Sequence, residues 1–239
     1  MPRTGLAEAD IDDLPLLYTP FACDHADKRE AVRSWDEVFG FRKRRELGRG
    51  TYLFREGLPA REVFLLVDGL ILLTCTAPVT ESECSFGLRF PGELVGGSAL
   101  SLGIPYPVSA LAMTPVQILR VSLAELERME RENPRISTFF RRMLSRDLYK
   151  AAGFIVQLKT SSPEERVVRF LHLLASAVGA KASSGQVEIN VPLRDRQIAE
   201  ILGFSPRQLK RVKQEMHAHG KLQISVGRRW IFRTTCGLS

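Results

Sequence analysis

Cysteine is scarce in this chain and scattered: Cys23, Cys75, Cys84 and Cys236 show no CxxC pair and no zinc-ligand spacing. Neither a structural metal site nor a secreted disulfide framework is therefore expected. Long apolar runs are also lacking, none approaching the roughly 20 residues that cross a bilayer. A hydrophobic content of 44% is ordinary for a folded domain and argues against disorder. Residues 1–20 have no basic start, apolar core or small-residue cleavage site, so no secretory signal is read and a cytoplasmic protein is expected. Enzyme signatures are missing too: there is no Ser/His/Asp or Cys/His arrangement with a local signature, no phosphate loop and no metal motif.

Charge, by contrast, is abundant and unevenly placed. Between Arg194 and Arg233 stand ten basic residues against three acids, an excess equal to the net +7 of the whole chain. A basic C-terminal end on an otherwise neutral body suits a module that binds a polyanion. A solvated basic face is the plainer alternative.

The pattern along the chain divides it into an N-terminal arm (1–30), a β-roll sensor domain (31–132), a long dimerisation helix (133–160) and a C-terminal winged helix-turn-helix (161–239), an α+β chain. The arm has little periodicity, and a short helix is expected from Glu30 to Phe39. Glycines from Gly48 to Gly103 then punctuate β-branched and aromatic runs such as Thr51–Phe54 and Val63–Val67, the mark of a small antiparallel barrel or roll. Ser122 is an N-cap for a helix through Met129, and Asn133-Pro134 opens a longer helix to about Lys159. Along the latter, Leu144, Leu148, Ala151, Ile155 and Leu158 recur at spacings of four and three, a seam that needs a partner helix. A two-fold dimer supplies one; packing on the chain's own sensor is the alternative. Pro163 with Glu164 and Glu165 starts the next helix, followed by a loop at Gly179–Gly185 and a strand over Val187–Val191.

Residues 194–218 read as a helix from Arg194 to Leu202, a turn Gly203-Phe-Ser205 and a second helix from Pro206. Ala199, Gly203 and Leu209 supply the small residue, the turn glycine and the apolar anchor that a helix-turn-helix needs. Ser205 caps the second helix, on which Arg207 and Arg211 lie one turn apart and Leu209, Val212 and Met216 face inward. Arg207, Gln208 and Arg211 are candidates for base edges, since arginine forks match guanine and glutamine matches adenine in the major groove. Ser205, Lys210, Lys213, Arg228 and Arg229 are candidates for phosphates. The turn Val226-Gly227-Arg228 within alternating apolar residues reads as a hairpin wing.

From about Phe41 to Arg233 the chain resembles the cAMP receptor protein/fumarate-nitrate reduction regulator (Crp/Fnr) family. The resemblance is carried by Gly50-Thr-Tyr-Leu-Phe-Arg-Glu-Gly57, Val63-Phe-Leu-Leu-Val-Asp-Gly69, Phe90-Pro-Gly-Glu-Leu-Val-Gly96, Arg196-Gln-Ile-Ala-Glu-Ile-Leu-Gly-Phe-Ser205 and Arg207–Arg211. It implies a homodimeric transcription regulator on a pseudo-palindromic operator, with RNA polymerase as a further partner. It also implies a relic ligand pocket lined by Gly92, Gly96 and Ser109.

Departures from the family pattern bear on the effector. Gly97 stands where nucleotide-binding members have a ribose-binding glutamate, and Val108 where they have the phosphate-binding arginine. A phosphate there would lose its charge-assisted partner, so cAMP is not expected as the ligand. An iron–sulfur cluster is disfavoured because only Cys23 lies near the N-terminus, and haem because only His25 precedes the output region. The cofactor is thus open. In the recognition run Pro206-Arg-Gln-Leu-Lys-Arg211, Arg207 replaces the glutamate of the best-known member, so the operator should differ at that base. Cys75 and Cys84 flank a hairpin from Thr76 to Glu83 and would sit opposite each other, a candidate redox pair, if its turn centres on Val79-Thr80; otherwise they are strand residues that never meet. A cyclic-nucleotide-type module acting through protein contacts is the competing reading of the whole chain.

Overall fold

The computed structural model describes residues 35, 43–79, 81–178, 181–183, 186–190, 192–225 and 229–233. The N-terminal part runs β1 (Arg45–Leu47), β2 (Tyr52–Phe54), β3 (Glu62–Asp68), β4 (Ile71–Thr76), β5 (Glu83–Arg89), β6 (Leu94–Val95), α1 (Gly97–Leu102), β7 (Ser109–Ala112) and β8 (Val116–Ser122). It continues through α2 (Leu123–Glu132), α3 (Pro134–Thr160), α4 (Pro163–Val178), β9 (Lys181–Ser183), β10 (Gln186–Asn190), α5 (Asp195–Leu202), α6 (Pro206–Ala218), β11 (Leu222–Ser225) and β12 (Arg229–Arg233). The arm (1–30), with Cys23 and His25, lies outside the described residues, as does Cys236; of the expected Glu30–Phe39 helix, only Trp35 is described, and it is helical.

Two antiparallel sheets, in the orders β1-β8-β3-β6 and β2-β7-β4-β5, face each other in the N-terminal half. Period-two alternation decides what each strand buries. In β4, Ile71 and Leu73 point between the sheets, into a cluster with Phe54, Phe64, Leu66, Ala110 and Ile118. Leu72 points the other way, to join Leu88, Phe90 and the apolar residues of the C-terminal half. Each fully buried aliphatic or aromatic side chain contributes roughly 1.5–3 kcal/mol relative to exposure.

The outer faces of the two sheets are covered differently. Val63, Leu65, Leu119 and Val121 lie under α2 and the first half of α3, through Leu126, Ile136, Phe140 and Met143. Trp35 completes this layer, edge-on to Phe139 with centroids 5.5 Å apart. Against the outer face of the other sheet, Leu70, Leu72, Leu88, Phe90 and Met113 share one cluster with Val167, Phe170, Leu171, Ile198 and Leu202. The C-terminal half is therefore seated on the N-terminal sheets through apolar packing as well as through the linking helix.

Helix ends follow the signals in the sequence. Ser122 and Glu125 form a reciprocal cap at the start of α2. Asn133 caps α3 by accepting from the Arg135 N–H, Pro134 takes the first turn, and α3 runs on to Thr160. Ser162 and Glu165 repeat the reciprocal cap at α4.

Three expectations need correction. The stretch 179–185, read as a loop, contains the short strand β9, paired with β10 from Ser183↔Gln186 to Lys181↔Glu188. Gly97, read as a strand breaker, opens α1, because Gly96 at φ 85° turns the chain into that helix. Arg194 caps α5 rather than belonging to it, its N–H donating to Gln197 Oε1 at 2.8 Å.

Candidate nucleic-acid interface

Helices α5 and α6 meet around a turn whose geometry needs glycine. Gly203 has φ 68° and ψ 34°, the left-handed region costly for a residue with a Cβ. A Cβ there would also lie 3.1 Å from Leu158 Cδ2 at the end of α3. The N–H of Gly203 and that of Phe204 close the helix on the carbonyls of Glu200 and Ala199. Ser205 then caps α6, its Oγ accepting from the Gln208 N–H at 3.1 Å, and Pro206 occupies the first helical position.

Burial of Leu209, Val212 and Met216 against Ile198, Ala199 and Leu202 fixes the rotation of α6. That rotation leaves Arg207, Lys210 and Arg211 exposed and Gln208 half-buried. Arg211 is 68% exposed and reaches Glu215 only at 3.6 Å, a solvated pair worth little. The base-contact candidates Arg207 and Arg211 thus lie in the first turn and a half of a capped helix on the side away from its core, with the third, Gln208, half-buried on its flank. Lys213 is placed differently: its Nζ lies 2.7 Å from Asp195 Oδ2 and 4.8 Å from the centre of the Trp230 ring. Strands β11 and β12, next to α6, pair antiparallel from Leu222↔Phe232 to Ser225↔Arg229. Its tip, with Arg228, lies outside the described residues, and of Arg229 only the strand position is described.

The grip of α5 on the N-terminal sheets was not legible in the sequence. Glu200 Oε2 accepts from the Ser85 N–H at 2.9 Å, and Arg196 Nη2 donates to the Glu83 carbonyl at 3.4 Å. Arg196 and Glu200 hold each other at 2.8 Å. Burial pushes the Glu200 carboxyl up, but the hydrogen bonds from Arg196 and Ser85 outweigh it and hold the group below its ordinary range.

The seam residues of α3 divide in two. Leu148, Ala151 and Ile155 face solvent, Leu148 at 73% exposure. Leu144 packs toward Gly97, while Leu158 lies beside Gly203 and is still 37% exposed. Positions flanking the seam tie α3 to the roll, with Lys150 Nζ 2.7 Å from the buried Glu93 and Asp147 beside Arg89. Burial would raise the Glu93 carboxyl, yet Lys150 and Arg89 with the Phe90 N–H hold it below its ordinary range, whereas at Asp147 burial prevails and raises it.

Of the residues expected to line a ligand pocket, Gly96 is walled by aromatics: a Cβ there would meet Tyr106 Cε1 at 2.9 Å and Phe54 Cε1 at 3.2 Å. Those two rings stack 3.7 Å apart, and the Tyr106 hydroxyl donates to the Glu62 carbonyl at 2.6 Å. Ser109 Oγ is engaged by the Glu56 N–H, and Val108 packs against the cluster between the sheets. Position 97 points at Leu94, Leu144 and Val63. Gly92 lies apart in the turn before β6, its N–H on the Leu66 carbonyl. The lining at 96 and 108 does not fit a cyclic nucleotide, since it offers aromatic and aliphatic surface where a phosphate needs a cation, and position 97 faces a different apolar layer.

Cys75 and Cys84 are cross-strand partners, so the hairpin register centred on Val79-Thr80 is the one adopted. No group of three or more side chains suited to a metal ion occurs among the described residues. Nor, among those residues, is any helix long and apolar enough to cross a membrane.

The facing antiparallel sheets make the N-terminal half a cyclic nucleotide-binding domain, the family whose model matches residues 44–133. Over most of its length the chain is similar to transcription regulators of the Crp/Fnr family. It is 26% identical over 191 residues to the transcriptional activator protein anr of Pseudomonas aeruginosa, covering 80% of this chain and 76% of that one. Its fold matches the c-di-GMP responsive global regulator CLP of Xanthomonas campestris, with a TM-score of 0.66 at 22% identity over 88% of this chain and all of that one. A CRP/FNR-family transcriptional regulator of Thermus thermophilus gives a TM-score of 0.66 at 20% identity over 80% and 94% of the two chains.

Proposed function

We propose that this protein is a cytoplasmic, homodimeric regulator that binds a pseudo-palindromic DNA operator and answers to a signal other than cAMP. The reading divides the chain into an arm (1–30), a β-roll sensor (31–132), a dimerisation helix (133–160) and a winged helix-turn-helix (161–239). The observation that carries it is the first turn and a half of α6, where Arg207 and Arg211 stand clear of the core, with Gln208 half-buried beside them, on a helix rotationally locked by Leu209, Val212 and Met216. A major groove admits a helix presented in this way, and guanidinium forks there discriminate guanine by about 1–3 kcal/mol for each good pair. Ser205, at the N-terminus of α6, with Lys210 and the wing arginines Arg228 and Arg229, serves phosphates. Lys213 braces α6 against α5 through Asp195 and is the weakest phosphate candidate of the set.

Two copies of the exposed seam Leu148–Ala151–Ile155 cover each other in the dimer and set the two α6 helices about one helical turn of DNA apart. RNA polymerase is the partner through which a bound dimer acts on transcription. The curated relatives bear the names of transcriptional activators and regulators, which favours DNA over the protein-contact alternative.

The test compares two variants on selected duplex DNA over a range of salt. Arg211→Ala is expected to lose discrimination at one base of each half-site, about five- to a hundredfold, with the salt slope unchanged. Lys210→Ala is expected to weaken every sequence alike and lower the salt slope by about one. Identical behaviour of the two variants would overturn this division of labour.

A further inference from the structure

We propose that Cys75 and Cys84 form a reversible dithiol–disulfide site whose closure loosens the attachment of α5, and with it the recognition helix, to the sensor roll. The α5–α6 part of this proposal rests on the DNA-binding reading above; the chemistry at the thiols does not.

Two observations meet at this site. First, the two cysteines are directly opposite in the β4–β5 ladder, so their side chains share one face of the sheet. Both are free and half-exposed. The Thr76 N–H is turned away from β5, to Glu56, while the Ala77 N–H bonds the Ser82 carbonyl. By alternation the Cys75 and Cys84 backbones face each other, a hydrogen-bonded rung with Cα atoms about 5.5 Å apart. That lies inside the roughly 4.4–6.8 Å range that a disulfide spans.

Second, the residues on either side of Cys84 are the ones that α5 holds. Arg196 donates to the Glu83 carbonyl, and Glu200 accepts from the Ser85 N–H. Those backbone groups are available because β5 is the edge strand of its sheet. Opposed β carbons stand about 4.5–5.5 Å apart in a sheet, whereas a disulfide draws them to about 3.5–4.5 Å. Closing the bond therefore pulls β5 inward and twists it at the rung between its two contacts with α5. Hydrogen bonds of 2.9 and 3.4 Å have little room for such a shift.

The oxidant is a low-molecular-weight disulfide, such as oxidised glutathione. One cysteine thiolate attacks it, forming a mixed disulfide and releasing one thiolate. The second cysteine thiolate then attacks the mixed sulfur, closing Cys75–Cys84 and releasing the other. The protein loses two protons and two electrons, and the small disulfide becomes two thiols.

Burial, the neighbouring thiol and Glu56 push the Cys75 thiol up, while burial and Glu200 push Cys84 up against the opposing pull of Arg196. Exchange should therefore be slow near neutrality and quicken about tenfold per pH unit as the thiolates form.

The experiment uses the full chain with Cys23→Ser and Cys236→Ser, reduced or treated with oxidised glutathione at pH 8. Closure removes about 2 Da from the single tryptic peptide spanning residues 62–89, which contains both cysteines. Amide hydrogen exchange is read over 83–86 and 195–202, and duplex affinity in parallel. The expected result is closure, exchange at both segments at least tenfold faster, affinity shifted at least tenfold, and reversal by dithiothreitol, all absent in Cys75→Ser. Stable glutathione adducts without closure, or closure with exchange at 195–202 unchanged, would overturn the proposal. A reduced protein that binds no duplex counts against the DNA reading, while the mass and exchange measurements still decide the switch.

Discussion

At the scale of single residues, this protein is governed by where a side chain is forbidden and where one is left free. Gly203 is the clearest of the first kind, since its left-handed backbone and the approach of Leu158 leave a Cβ no unstrained place. Gly203→Ala is expected to cost about 1–2 kcal/mol, a fall of roughly 2–8 °C in melting temperature by calorimetry; an unchanged midpoint would contradict the turn described. Arg207 and Arg211 are of the second kind, and their exposure was legible because apolar neighbours at helical spacing fix which face is buried. The role of Lys213 was not legible. Its partners, Asp195 and Trp230, come from other elements, and spacing along α6 alone carries no trace of them.

Elements with strong punctuation were readable: Asn133-Pro134 and Ser161–Pro163 bound α3 almost to the residue. Elements without it were missed. The three-residue strand β9 has no alternation to betray it, and α1 hides behind two glycines that read as a break. The β4–β5 register could be read conditionally from Thr74↔Ser85 to Thr76↔Glu83, because the turn position fixes those pairs, whereas the register shift between Leu73 and Thr74 was not legible. For α3, the exposed stripe of Leu148, Ala151 and Ile155 calls for a partner. Leu148→Asp combined with Ile155→Asp is expected to give a monomer in sedimentation velocity with helical circular dichroism retained. Duplex affinity should fall on the order of a hundredfold as the second half-site contact is lost. A dimer that persists would move the interface elsewhere.

The whole molecule is tied together by contacts that no local pattern announces. The outer face of the β2-β7-β4-β5 sheet reads as an apolar stripe in the sequence, but nothing local says that α4 and α5 cover it. Nor does anything local pair Ser85 with Glu200, 115 residues away. The carboxylates of these ties set the acid response. Glu93 and Glu200 sit below their ordinary range, so their stabilisation is present above about pH 4.5 and is lost as the pH falls through their lowered values. Asp147, raised by burial, acts in the opposite sense and becomes less unfavourable on acidification. Urea midpoints should therefore drop between pH 5 and 3, and less steeply in Glu93→Gln/Glu200→Gln; parallel curves would refute this origin. The central claim, that α6 reads base sequence in duplex DNA, is tested most directly by selecting operators from a random duplex pool and measuring affinity for the selected and scrambled sequences at about 150 mM salt. The account predicts two inverted half-sites about one helical turn apart, held at least a thousandfold more tightly than scrambled DNA. Equal affinity for both would contradict it.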